Sequence, residues 1–279
     1  MLLVDGHNLL WRAAFGFPAA IMSRDKTRDL TAEFGFFALL RVAIRDELPA
    51  PPEVLVVFDG EHGTADRKDA DASYKANRVR DEAALKPLRA IPHVQEALTL
   101  YGVQWIEIDT AEADDVIASL VATTRQQTPN RQVWIMSGDR DFYQLVGPRT
   151  RVLNTVMKRG KRHIGPDEVY ERFGVTPAQW PDFCALKGDP ADNIPGIKGV
   201  GLGTAAKLLA GDLVLEQILD SGRLTGARRA TALATWEQVL GWRELIRMRA
   251  DLPLEILPTG TSSAPLPRPA EVIEKLGLW

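Results

Sequence analysis

The sequence predicts an α/β fold, a central sheet flanked by helices, followed by a smaller helical domain. Three observations carry this. Four apolar runs, "MLLVD", "EVLVVFDG", "VQWIEID" and "QVWIMSGDRD", alternate with segments of helical period. Strands alternating with helices build a mostly parallel sheet covered on both faces. Each run also ends in an acid or leads into one at the start of the next helix. Near Trp180 strand signals fade and short helical segments take over. The division expected is residues 1–185 for the α/β body and 186–279 for the helical domain.

In order, "MLLVD" is a short strand and the helical pattern around Leu30 to Asp46 follows it. "EVLVVFDG" is a buried strand. Between Asp59 and Tyr101 lies an oversized connection with few large apolar residues in its first half. Connections of that length are usually functional lids or binding loops. "VQWIEID" is a third strand leading into the helix of "AEADDVIASLVATTR", and the fourth strand runs into "FYQLV". "RVLNTV" pairs through "MKRGKRH" as a hairpin. Past the turn-rich "GDPADNIPGIKGVGLGTAAKLL", the Ser/Pro-rich "PTGTSSAPLPRP" reads as a surface linker or extended strap before "AEVIEKLGLW".

Composition excludes several classes. A chain of 279 residues with 45% hydrophobic and 25% charged residues is an ordinary globular protein. The single cysteine, Cys184, rules out an intrachain disulfide and points to a reducing compartment. Within "WPDFCAL" it reads as a buried structural thiol. The start enters a strand at once, and no apolar run approaches a bilayer span, so no membrane partner is expected and the location expected is cytoplasmic. Net charge is −3. That balance argues mildly against nucleic acid unless the acids are gathered where bound cations cancel them.

The acids are gathered. Asp5, Asp59, Glu112, Asp114, Asp115, Asp139 and Asp141 fall at strand ends or helix starts, and "KGDPADN" adds Asp189 and Asp192. In open α/β sheets, ligands collect outside the carboxyl ends of the strands. Singly, each acid fits a helix cap or an ordinary turn. Jointly, that reading leaves several anions on one sheet edge without counter-charge. Oxygen donors without interspersed His or Cys suit Mg²⁺ or Mn²⁺ rather than zinc, and their number suits two or more ions. Paired ions of that kind hydrolyse phosphodiesters.

A second constellation is "NIPGIKGVGLGTAAKLL", residues 193–209. It reads as a helix-hairpin-helix: glycines let backbone amides approach a phosphate, and a helix N-terminus adds favourable potential. Such contacts position nucleic acid without reading its sequence.

These blocks, with "LVDG", "VVFDG", "YKANR", "AEADDVI" and "SGDRDFYQLV", resemble the 5′-nuclease (flap endonuclease) family, most closely the 5′-nuclease domain of bacterial DNA polymerase I. The resemblance runs from the amino terminus to about Leu209. It implies a PIN-like core, a helical arch over the active site at 61–95, and a helix-hairpin-helix domain. With no room for a polymerase domain, a stand-alone, monomeric enzyme associated with the nucleoid is expected. The implied activity is structure-specific 5′→3′ exonuclease and flap endonuclease cleavage of branched or nicked DNA, including RNA-primed ends, in replication and repair.

By the same resemblance all nine acids are metal ligands. Asp5, Asp59, Glu112 and Asp114 lie nearer one ion. Asp115, Asp139, Asp141 and Asp192 lie nearer another, with Asp189 acting through water. Lys75 and Arg78 reach the scissile phosphate and join Asp114 and Asp139 as catalytic residues, while Tyr74 lies near the terminal nucleotides. Arg12, Lys187, Gly196, Lys198, Gly199, Gly201 and Lys207 complete the DNA contacts. Carbonyls around Ile197 and Val200 hold one K⁺.

Three departures stand out: "DGHN" puts His7 and Asn8 beside Asp5, "VRDEAALKP" replaces a proline-rich turn, and "MKRGKRH" carries four basic residues around Gly160. That basic tip reads as a duplex-phosphate contact, and His7 as a satisfied structural histidine. Two alternatives stay open: a PIN-type ribonuclease, which shares the acids but needs no helix-hairpin-helix, and a non-catalytic flap-binding module, which would keep arch and hairpin but lose acids.

Overall fold

A computed structural model of the chain describes residues 1–77 and 82–279. The first strand, β1 (Leu2–Asp5), is buried along its whole length. Its last residue, Asp5, caps α1 (Gly6–Gly16) by accepting the Asn8 N–H at 2.9 Å. There follow α2 (Thr31–Glu47), β2 (Val54–Asp59), α3 (Ala65–Ala70), α4 (Glu82–Arg89), α5 (Ile91–Leu100) and β3 (Gln104–Ile108). Next come α6 (Ala113–Gln127), β4 (Val133–Met136), a 3₁₀ turn at Asp141–Leu145, β5 (Thr150–Leu153) and β6 (His163–Ile164). The remainder is helical: α7 (Pro166–Phe173), α8 (Trp180–Lys187), α9 (Leu202–Leu209), α10 (Leu215–Ile218), α11 (Gly226–Ile246) and α12 (Pro269–Lys275).

The strands form one sheet in the order β3-β2-β1-β4-β5-β6, parallel except for the β5–β6 hairpin. Strand order reverses between β1 and β4, and such a switch point opens a crevice at the carboxyl ends. The register aligns Val4 with Met136, Asp5 with Val57 and Asp59 with Ile108, so the acids that end β1 and β2 share one edge.

Alternation along the strands divides the core. Leu3, Leu55, Val57 and Ile135 face a cluster shared with α6, α8, α9 and α11. Leu2, Val4, Val54, Val56 and Phe58 face a second cluster with α1, α2 and α5. Successive strand residues point to opposite faces, which explains why these short runs are apolar throughout.

Two features differ from the expectation. Between 188 and 201 there is no helix, so the hairpin is made by α8 and α9, with the acid-bearing loop inside it. Gly188 ends α8 with φ +82°, and Pro190 and Pro195 follow; a left-handed glycine and nearby prolines stop a helix. The C-terminal segment, counted with the helical domain in the sequence, returns to the α/β body. Glu53 accepts the Thr259 and Gly260 amides, the Val54 N–H donates to Ser263 Oγ at 2.9 Å, and Arg28 donates to the Leu278 carbonyl at 2.7 Å. The Ser/Pro stretch is therefore a strap. Among the described residues no helix is long and apolar enough to cross a membrane.

Candidate metal centre and nucleic-acid interface

The crevice between β1 and β4 is built by short polar turns. Ser137, just after β4, donates its hydroxyl to Asp5 Oδ2 at 2.8 Å and accepts the Asp139 N–H at 3.0 Å. Asp139 Oδ1 in turn accepts the Asp141 N–H at 2.9 Å. On the other side Asp59 Oδ1 accepts the Ala113 N–H at 2.7 Å, so the end of β2 caps the first turn of α6, where Asp114 stands. His7 and Asn8 are fasteners here. His7 Nδ1 accepts the Asp59 N–H at 3.1 Å, and Asn8 Oδ1 accepts the Gly138 N–H at 2.9 Å.

Electrostatics shows which acids converge. Burial, with the charges of Asp59 and Asp139 against two opposing hydrogen bonds, pushes the Asp5 carboxyl up to about 7. The same causes, burial first and then Asp139, Asp5 and Asp59, hold Asp114 well above the usual carboxylate range. Asp141 is raised by burial and by Asp139, Asp192 and Asp189. Asp139 therefore couples two groups, one of Asp5, Asp59 and Asp114 and one of Asp141, Asp189 and Asp192. Carboxylates that raise one another in this way carry more negative charge than Lys75 and Lys187 offset, and hard divalent cations fit that deficit.

Glu112 and Asp115 have cations of their own. Glu112, N-cap of α6, meets Lys75 Nζ on Oε1 and Arg67 Nη1 on Oε2, with the Tyr74 hydroxyl 3.3 Å from Oε2. Asp115 is fully buried and faces away from the cluster. Its Oδ1 accepts Arg67 Nη2 at 2.7 Å and the Arg249 N–H at 2.9 Å; Oδ2 accepts Arg67 Nη1 at 3.0 Å and Arg249 Nε at 2.9 Å. Four hydrogen bonds use its acceptor capacity. The structure thus does not bring Asp115 to the cation crevice. Arg67 and Arg249 do not stand out in the sequence. The signal is thin, an arginine eight residues before Lys75 and another almost at the strap.

Lys75 lies in the crevice, 9% exposed, with φ +52° and its N–H on the Asp192 carbonyl at 3.1 Å. Its pKa is raised because Glu112, Tyr74, Asp192 and Asp114 together outweigh burial, so it is a firm cation. Tyr74 is 3% exposed, with the Lys75 ammonium 4.8 Å from its ring centroid. Stacking on an unpaired base requires the ring to leave this position. Arg78 lies outside the described residues. Arg12 donates to the Thr155 carbonyl at 3.0 Å and so braces the base of the basic hairpin, whose Lys158, Arg159 and Lys161 are exposed.

In the helix-hairpin-helix, Lys198 and Lys207 are exposed and Ile197 and Val200 are buried. Gly201 caps α9 and is exposed, and a Cβ there would meet nothing within 4 Å. Gly196 serves the fold. With φ +66°, a Cβ on it would come 2.2 Å from Gly188 N. Gly199 has φ +83°, and its carbonyl accepts Arg228 Nε at 3.0 Å. Lys187 donates to the Gly188 carbonyl at 2.8 Å and lies 3.6 Å from Asp189.

The chain is similar to known proteins. Residues 1–174 match the model of the 5′-3′ exonuclease N-terminal resolvase-like domain, and residues 175–266 match that of the 5′-3′ exonuclease C-terminal SAM fold. The thermostable DNA polymerase I of Thermus thermophilus is 36% identical over 259 residues, which is 92% of this chain but 29% of the polymerase. The chain thus spans under a third of that relative. A structure of T5 5′-exonuclease with bound zinc superposes with a TM-score of 0.70 at 20% identity, covering 89% of each chain. The catalytic core of Rad2 in complex with a DNA substrate gives 0.59 at 14% identity, covering all of this chain and 88% of that one. Likeness at such identity speaks for the fold alone.

Proposed function

The chain belongs to the 5′-3′ exonuclease family, and on that premise we propose that it is a divalent-metal-dependent, structure-specific 5′ nuclease acting on flapped, nicked or junction DNA, RNA-primed ends included. The observation that carries this is the convergence of acids at the sheet's switch point, where Ser137 links Asp5 to Asp139, Asp139 holds the Asp141 amide and Asp59 caps the helix that presents Asp114, beside the Lys75 ammonium on Glu112.

Asp5, Asp59, Asp114 and Asp139 would hold one cation, with Glu112, which Lys75 and Arg67 also engage, on the same side, and Asp139, Asp141, Asp189 and Asp192 another; Mg²⁺ and Mn²⁺ suit such oxygen donors. When bound, paired ions supply Lewis-acid activation of water and stabilisation of the leaving oxygen. The chain's own residues place the phosphate. Lys75, held in the crevice by its contact with Glu112, supplies positive charge where a phosphoryl group gains negative charge. Arg78, three residues on, is assigned the same role. The Gly201 amide, Lys198 and Lys207 grip duplex phosphates, joined by the exposed basic tip of the 157–163 hairpin and by Arg12. One K⁺ on carbonyls around Ile197 and Val200 belongs to the same reading, as does action as a monomer.

The test is cleavage of labelled single-strand, nicked, gapped, flap and RNA-bearing duplexes with Mg²⁺ or Mn²⁺, using wild type, Asp139→Asn and Asp141→Asn. Metal-dependent cutting of flapped and nicked DNA that both folded variants lose is expected. Cleavage in excess EDTA would contradict the metal assignment, and cleavage confined to single-stranded RNA would favour a PIN-type ribonuclease.

A further inference from the structure

One turn of α8 sets a thiol against the second group of acids. Cys184 Sγ, a carboxylate oxygen of Asp141 and one of Asp189 all lie within 4.8 Å of one another. Cys184 is fully buried and is the only cysteine of the chain. Its surroundings are not those of an inert core thiol. The Lys187 ammonium lies 3.6 Å from Asp189 Oδ2 and donates to the Gly188 carbonyl at 2.8 Å. A positive group thus already stands beside one carboxylate of this set.

Resting on the reading that these acids hold divalent cations, we propose that Cys184 is a sulfur ligand of the second cation position, forming with Asp141 and Asp189 a mixed set that takes thiophilic ions: Zn²⁺, Co²⁺ or Cd²⁺. Oxygen donors alone favour Mg²⁺ and Mn²⁺, whereas one thiolate shifts preference toward these softer ions. The spacing suits them. Tetrahedral bonds of about 2.3 Å to sulfur and 2.1 Å to oxygen put ligand atoms about 3.4–3.6 Å apart, so the observed set closes by at most about 1.4 Å to hold an ion.

Binding exchanges a proton for the metal: the S–H bond breaks, a sulfur–metal bond forms, and the proton leaves to solvent. Lys187 keeps its charge and is repelled outward; being only part-buried, it has a path to solvent.

Co²⁺ titrated into the metal-free chain tests the proposal. The expected result is a near-ultraviolet thiolate-to-cobalt charge-transfer band that saturates at one thiolate per chain and is absent from Cys184→Ala. A single cysteine leaves no other origin for the band. Calorimetry should show Zn²⁺ affinity falling at least about tenfold in Cys184→Ala, with Mn²⁺ affinity nearly unchanged. Cys184→Ser, with thermal unfolding of both variants, separates ligand loss from misfolding. Co²⁺ binding without the band, or a band that persists in the variants, overturns the proposal and leaves the carboxylate sites standing. Failure of both Co²⁺ and Mn²⁺ to bind the folded chain overturns the cation reading and this inference with it.

Discussion

Arg67 holds Asp115 with both terminal guanidinium nitrogens, at 2.7 and 3.0 Å, on a carboxylate with no solvent exposure. Arg67 also reaches Glu112 and the Leu245 carbonyl, and Arg249 closes the other side of Asp115. One buried carboxylate thereby ties α3, the start of α6 and the end of α11 together, and fixes Glu112 where Lys75 meets it. This is a different job from that of Asp114, its neighbour in sequence.

Asp115→Asn is accordingly expected to cost stability and not cation affinity. Breaking a buried pair costs about 3–5 kcal/mol. In a chain of this size 1 kcal/mol shifts Tm by about 2–4 °C, so a fall on the order of 10 °C is expected. Calorimetric Mn²⁺ affinity should stay within about threefold of wild type, whereas Asp114→Asn and Asp139→Asn should lose at least about tenfold, as charge is removed from the crevice. Equal Mn²⁺ losses in Asp115→Asn and Asp114→Asn would return Asp115 to the cation site.

The crevice also predicts the pH dependence of the metal-free chain. The Asp5 carboxyl titrates at about 7 in the fold against an ordinary value of 3.8. Between these values the folded chain binds more protons than the unfolded one, so this group's contribution is full at low pH and is lost as pH rises through about 7. Metal-free Tm should fall from about pH 4 to about pH 7, and Mg²⁺ or Mn²⁺ should restore more of it at the higher pH. A metal increment that is equal at both pH values would show that protons and cations do not compete for one site.

Lys75 should act on the chemical step. Removing one charge-stabilising group typically lowers the rate by about 10²–10³. Lys75→Ala is expected to lower the single-turnover rate by that order while the Kd for flapped DNA changes only a few-fold, and Arg78→Ala should behave alike. Similar losses in rate and affinity would make both residues general backbone contacts.

The hairpin glycines should separate cleanly. Gly201→Val meets open space at a non-left-handed φ, so it should fold with a cost of about 1 kcal/mol at the cap. Its duplex affinity should fall and its salt dependence flatten, by roughly 0.9 in slope for each phosphate no longer neutralised. Gly196→Ala should instead lose stability, because its Cβ would run into Gly188 N. Binding and salt series on nicked duplex, with circular dichroism as the folding check, decide this; a folded Gly201→Val that binds like wild type at every salt would remove the hairpin from the DNA interface.

Much of the architecture is legible in the order of residues. Apolar runs of strand length separated by helical segments determined the layered α/β body, because buried parallel strands must be apolar on both faces. Acids placed at the ends of those runs determined the crevice, because the topology brings strand ends to one edge, and Asp5, Asp59, Asp114, Asp139, Asp141, Asp189 and Asp192 gather there. Tertiary packing alone decided the partners of each acid. Asp114 and Asp115 are adjacent in sequence, but successive helical residues diverge by about 100° around the axis, so one faces the crevice and the other the α3–α11 seam. Sequence could not show that Arg67 and Arg249, 182 positions apart, close on Asp115, nor that Cys184 turns toward Asp141 and Asp189. Long-range pairs depend on how helices pack, and local pattern records only which face of each helix is apolar.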